Sequence, residues 1–341
     1  MADPIVIPTT RLLFPYLKWS SQLPKLRLQF RENQPYPHVH LKEFLDHDVA
    51  GKMAREFPDM ATDAWTRYKH QNENKLGLAK RSLFPPLLGE VVDELNSEAF
   101  VHWLSQLTGI PNLLADESLE GGGLHQSGAG GFLNVHTDFS NHHYHKHWRR
   151  QVNLILYLNP DWKEQWGGAI ELWDREVRRC AVKIPPLFNE ALIFRTDEIS
   201  YHGFPDPLRC PEGESRKSLA LYYYTVESGV GVKAHSTNYR PRPQDGPLKS
   251  SMIWLDKEAW ICIHGPKRAS VSRTSSPVRF SVSSRASANS SVPRPVLKWA
   301  RRTNLDGGHD AAVRTPFSFS SAFGVSASTA KITKKGSMGR R

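Results

Sequence analysis

Between Phe132 and Glu227 the apolar positions come in short runs parted by Gly, Pro and Asn. The runs are Phe132–Asp138, Gln151–Leu158, Ala169–Trp173, Cys180–Ile184, Ala191–Arg195, Tyr201–Phe204 and Arg216–Val226. On Gln151–Leu158 the alternation is strict. Val152, Leu154, Leu156 and Leu158 share one face, and Asn153, Ile155 and Tyr157 share the other. Runs this short and closely spaced predict an antiparallel sandwich or barrel and not alternating βαβ units. Ahead of them the period changes to that of a helix. Val49, Met53 and Phe57 recur every four residues behind a cap at Asp46 or Asp48, with Pro58 as the stop. A second helix is predicted from Asn96 to Leu107, capped by Asn96 or Ser97, striped by Phe100, Trp103, Leu104 and Leu107, and stopped by Gly109. Helices followed by strands give an α+β, mainly β chain with helices packed on one face of a rolled-up sheet.

The 341 residues allow one or two domains. Residues 1–35 are apolar and basic by turns and read as a packing arm. Residues 36–245 read as the folded domain. Residues 246–341 read as a basic, Ser- and Arg-rich, largely disordered tail, although Ser250–Ile263 keeps enough apolar residues to be ordered. The formal charge of +11 is unevenly spread. Residues 1–230 carry 25 Lys+Arg and 29 Asp+Glu, and residues 231–341 carry 20 and 5. The excess positive charge therefore belongs to the last third, and the domain is slightly acidic. Three cysteines form no disulfide framework and no Cys-x-x-Cys pair, which disfavours a thiolate zinc site and makes a reducing, cytoplasmic setting the expectation. No stretch has the apolar length of a transmembrane segment, and the first residues lack the pattern of a secretory signal.

Three features carry the chemistry. His136 and Asp138 stand at i and i+2 at the end of a predicted strand, so both address one face. His202 follows in another short strand. Two imidazoles and one carboxylate make the facial triad that binds Fe(II) and leaves positions open for a keto acid and dioxygen. Arg216 opens the last strong strand, with Ser218 on its face. A guanidinium can donate two parallel hydrogen bonds to the far carboxylate of 2-oxoglutarate, and the Ser218 hydroxyl can add a third. Asn153 and Tyr157 present polar tips that suit the same pocket.

The runs Gly121–Gln126, Gly131–Asp138, Arg150–Asn159 and Trp166–Trp173, with His202-Gly-Phe and Arg216–Tyr224, resemble the prolyl 4-hydroxylase-like branch of the 2-oxoglutarate and Fe(II)-dependent oxygenases. The resemblance spans roughly residues 36–245. It implies a double-stranded β-helix, or jelly roll, with its core at about 121–228. It also implies iron ligands His136, Asp138 and His202, a cosubstrate role for Arg216 and Tyr157, and L-ascorbate as an activator. The implied reaction is hydroxylation of a peptidyl, prolyl-type or small-molecule substrate with release of succinate and CO2. The stretch between His202 and Arg216 is longer than in relatives, which leaves Lys217 as an alternative to Arg216.

Other features carry less. His142, His143, His145 and His147 read as a loop at the pocket mouth more readily than as a second metal site. Trp162, Trp166 and Trp173 read as packing. The basic tail raises an alternative of another class, an oxygenase or binding protein delivered to nucleic acid by charge.

Overall fold

A computed structural model of the chain describes residues 12–227 and 234–264. The helices come first. α1 (Tyr16–Glu32) lays Trp19, Leu26 and Phe30 onto the core, and Trp19 Nε1 donates to the Phe44 carbonyl at 2.8 Å. After β1 (His38–Lys42), α2 (His47–Arg55) begins at Asp46, whose carboxylate accepts the N–H groups of Asp48 and Val49. It ends three residues before Pro58. The hairpin of β2 (Thr66–His70) and β3 (Glu73–Leu78) follows. α3 (Pro86–Leu95) starts with proline in its first turn, where the missing N–H is no loss. α4 (Glu98–Thr108) is capped by Ser97 and closed by Gly109 at φ +72°. The left-handed cap there favours glycine.

The strands then run β4 (Leu114–Ala115), β5 (Gly123–Ser127), β6 (Phe132–Thr137), β7 (Trp148–Tyr157), β8 (Ile170–Trp173), β9 (Cys180–Ile184), β10 (Glu190–Arg195), β11 (His202–Phe204), β12 (Arg216–Val226) and β13 (Asn238–Tyr239). Every pairing is antiparallel, in the order β1-β10-β7-β12-β5-β3-β6-β11-β8-β9, rolled into a nearly closed, jelly-roll-like barrel.

The two faces of β7 set the plan of the molecule. Val152, Leu154, Leu156 and Leu158 join Ile193, Leu219 and Leu221 and the apolar stripes of α1 to α4 in one large core. Asn153, Ile155 and Tyr157 face the barrel interior, where Tyr157 and Ile155 meet Ile170, Leu172, Leu192 and Phe194. The helical layer thus supports the sheet from outside and leaves the inner face free for a site. Trp162 and Trp166 meet edge to face at 5.1 Å beside Leu208, and Trp173 is buried near Val135, so the tryptophans pack.

The segment read from the sequence as tail opens on a helix, α5 (Pro247–His264). Its start is anchored by Asp245, which takes Arg242 at 3.0 Å and Lys249 at 2.9 Å. Charge pairs across a turn, and not apolar periodicity, hold this junction. Residues 1–11 of the arm and 265–341 of the tail lie outside the described residues. No helix of the described residues is long and apolar enough to cross a membrane.

Candidate active site

His136 on β6 and His202 on β11 face each other as register partners. Asp138 sits one step beyond the end of β6. The six-residue strand and its tight antiparallel neighbour bring together side chains 66 positions apart in sequence. One ligand atom from each residue lies within 4.8 Å of the others. His136 Nε2 is 3.7 Å from Asp138 Oδ1, and His202 Nε2 is 3.6 Å from Asp138 Oδ2. These separations are too long for hydrogen bonds.

The histidines are held alike. His136 Nδ1 lies 2.8 Å from the Asn134 carbonyl, and His202 Nδ1 lies 2.9 Å from the Ser200 carbonyl. A carbonyl only accepts, so each Nδ1 carries the proton and each Nε2 offers its lone pair inward. Burial pushes His202 down to about 4, against the upward pull of Asp138, so its ring is neutral at ordinary pH. Burial also works against charge on Asp138. The Arg150 guanidinium, then His202 and His136, outweigh it and hold the carboxyl well below the usual carboxylate range.

Arg150 is a residue whose role the sequence pattern does not reveal. It is buried, its Nε donates to Asn153 Oδ1 at 2.7 Å, and Asn153 Nδ2 donates to Asp138 Oδ2 at 2.8 Å. Arg150 Nη2 lies 3.2 Å from the same Oδ2, in an ion pair whose angle is too poor for a hydrogen bond. The guanidinium also rests on the Tyr222 ring at 3.3 Å. Asn153 therefore lines the cavity as expected, but its amide is spent on aiming the carboxylate.

Arg216 projects into the same cavity from β12. Its Nε donates to the Gly168 carbonyl at 2.8 Å and its Nη2 to the Tyr157 hydroxyl at 3.2 Å, while Phe204 stacks at 4.2 Å. Gly168 has φ +76°, and a Cβ there would lie 3.1 Å from Arg216 Cδ, so glycine lets the two segments meet. No carboxylate pairs with Arg216 among the described residues, although it is only 5% exposed. A buried cation without an anion is costly unless a ligand supplies one. Ser218 lies in register with Tyr157 on the inner face. Lys217 lies on the other face and does not line the cavity, so of these two it is Arg216 that points inward; Lys75 also borders the cavity, paired with Glu73 at 2.9 Å.

The donor set fits a divalent iron ion: two neutral imidazole nitrogens and one ionised carboxylate converge, with cavity space beside them. The guanidinium at the other end, hydrogen-bonded but without a carboxylate partner among the described residues, fits a dicarboxylate that reaches from the ion to it. A groove opens beside the cavity and shares Lys75, His125, Leu133, His136, Asp138 and Tyr222 with it. Tyr68, Phe139 and Tyr239 extend its aromatic lining.

The histidine loop behaves differently. His142 is fully buried, with Nε2 3.2 Å from Asp116 Oδ1 and Nδ1 accepting the N–H groups of Tyr144 and His145 at 3.1 Å. His143 pairs with Glu120, and His145 stacks on Trp148 at 4.3 Å. None of the four loop histidines lines the triad cavity or the groove.

Residues 122–224 match the family model of the 2OG-Fe(II) oxygenase superfamily. Over 79 residues the chain is 28% identical to the prolyl 3-hydroxylase OGFOD1 of Mus musculus, a match that covers 22% of this chain and spans 14% of that relative. Among solved structures, a Pseudomonas putida prolyl-4-hydroxylase overlaps with a TM-score of 0.44 at 15% identity, over 59% of this chain and 100% of the other. A Trichoplax adhaerens prolyl hydroxylase in complex with a hypoxia inducible factor peptide fragment overlaps with a TM-score of 0.46 at 16% identity, over 61% and 92%.

Proposed function

We propose that the chain, whose residues 122–224 match the 2OG-Fe(II) oxygenase superfamily, is a 2-oxoglutarate-dependent dioxygenase of prolyl 4-hydroxylase-like type that hydroxylates a prolyl residue in a peptide. One observation carries this reading: a His-Asp-His set with inward lone pairs shares a cavity with a buried guanidinium that has no carboxylate partner among the described residues. When bound, Fe(II) and 2-oxoglutarate supply the oxidising chemistry, with dioxygen as the oxidant.

The chain's own residues do the rest. His136, Asp138 and His202 would hold the metal, with their tautomers fixed by the carbonyls of Asn134 and Ser200. Asn153 and Arg150 keep Asp138 ionised and aimed. Arg216 would take the far carboxylate of the cosubstrate, and the hydroxyls of Tyr157 and Ser218 would add hydrogen bonds. Phe204, Ile155 and Ile170 keep that end dry. In the groove Lys75 is paired with Glu73 at 2.9 Å, and Tyr68, Phe139, Tyr222 and Tyr239 supply an aromatic lining among the polar groups. Such a lining suits an uncharged ring on an extended backbone, which favours a proline-containing segment.

The test is succinate formation from 2-oxoglutarate by the full chain under Fe(II) and air, with a panel of proline-containing peptides and small metabolites. A peptide that raises the rate is the expected result. Arg216→Ala should raise the KM for 2-oxoglutarate about a hundredfold, since charge-assisted bonds to a carboxylate are lost. Stimulation by small metabolites alone would sink the peptide part. No succinate under any condition would sink the whole reading.

A further inference from the structure

We infer that His125 determines substrate specificity, its Nε2 accepting a hydrogen bond from an N–H or O–H of the substrate. This deepens the oxygenase reading and rests on it. His125 lies on the inner face of β5, opposite Ser218 of β12 and Gly77 of β3. It borders both the triad cavity and the aromatic groove, and so stands where the two meet.

The ring lies beside the Gly121 carbonyl, which accepts the Tyr222 hydroxyl at 2.8 Å. Nε2 is shielded from solvent and has no partner. With Nε2 unpartnered, Nδ1 is the nitrogen left to face that carbonyl, which only accepts, and the tautomer inferred is the one with the proton on Nδ1. Burial, helped by the Lys75 charge, pushes the group down to about 3, so a second proton stays off. What remains at Nε2 is a bare lone pair.

That lone pair repels carboxylate and keto oxygens, so it is mismatched to the cosubstrate. It is matched to a donor arriving through the groove. An unmet buried acceptor carries a penalty that a substrate donor removes. A proline nitrogen inside a peptide has no N–H, so in a prolyl peptide the donor is the amide of a neighbouring residue or a hydroxyl side chain.

The test compares His125→Phe, which keeps a flat ring and removes the acceptor, with His125→Gln, which restores an acceptor oxygen. The assay uses the full chain with Fe(II), 2-oxoglutarate and the proline-containing peptides as probes. We expect the peptide KM to rise about tenfold in His125→Phe, the loss of one net hydrogen bond. The kcat and the KM for 2-oxoglutarate should hold, which also reports a folded site, and His125→Gln should recover much of the loss. An unchanged peptide KM in His125→Phe, or a raised KM for 2-oxoglutarate instead, overturns the assignment. If no peptide stimulates the unaltered chain, the peptide reading fails separately. The imidazole ¹⁵N spectrum of the Zn(II)-loaded chain then decides: a proton on Nε2 overturns the assignment, and a bare Nε2 upholds it.

Discussion

His136 and the loop histidines lie within a few residues of each other in sequence, yet the triad pair His136 and His202 and the loop end up with opposite chemistry. His136 and His202 each spend Nδ1 on a backbone carbonyl and keep Nε2 open, facing a carboxylate they do not hydrogen-bond. His142 spends both nitrogens, one on Asp116 and one on two backbone N–H groups. His142 is as buried as His136 and His202, so burial does not make a ligand. What separates them is whether the second nitrogen is left without a partner. The loop carries more histidines than the triad, yet the loop's serve as braces.

The sharpest way to break this contrast is to exchange the losses. His136→Ala should abolish both metal binding and succinate formation, checked by metal analysis and turnover. Next in size is the support behind the triad. Arg150→Gln removes the cation that keeps Asp138 ionised and should weaken Fe(II) binding by about ten- to a hundredfold, measured by metal titration under exclusion of air. His142→Ala should leave metal affinity within about twofold and instead destabilise the fold by about 2–4 kcal/mol, through a cavity and unmet backbone groups. Denaturant unfolding measures this, and a loss of metal binding without a loss of stability would collapse the distinction.

The smallest effect is a pH dependence. His125 has a folded pKa of about 3, below its ordinary value, so the unfolded chain binds its proton first as pH falls. Its contribution to stability is present above about pH 6.5 and is lost progressively as pH drops toward 3. The thermal midpoint of the metal-free chain should fall over that window, and His125→Gln should make the fall shallower.

Much of the barrel is legible in the sequence because its central strands are amphipathic by alternation. β7 and β9 announce themselves in this way, β10 as a continuous apolar run, and α4 by its stripe and caps. The β2–β3 hairpin does not, because Thr66–His70 is exposed at every position and shows no contrast between faces. α1 hides behind Pro24 and sparse apolar residues, with only Trp19, Leu26 and Phe30 buried. β5 is hidden for a chemical reason. Its inward residues His125 and Ser127 are polar because they face the cavity, so the pattern that marks a half-buried strand is lost where the site needs polarity. The triad and Arg216 can be read from residue types and spacing. Arg150 cannot, since a charged residue at a strand's entry looks solvated until the fold sets Asp138 and Tyr222 against it.

On β7, neighbouring residues answer to different demands. Deleting one residue ahead of Val152 would turn valine and leucine toward the cavity and drive an amide and a phenol into the packed helical layer. Folding and chemistry would then fail in one step. Substitution scanning of this strand should accordingly show a two-residue rhythm. Tolerance at Val152, Leu154 and Leu156 would be graded by side-chain volume, and tolerance at Asn153 and Tyr157 by the direction in which each hydrogen bond runs.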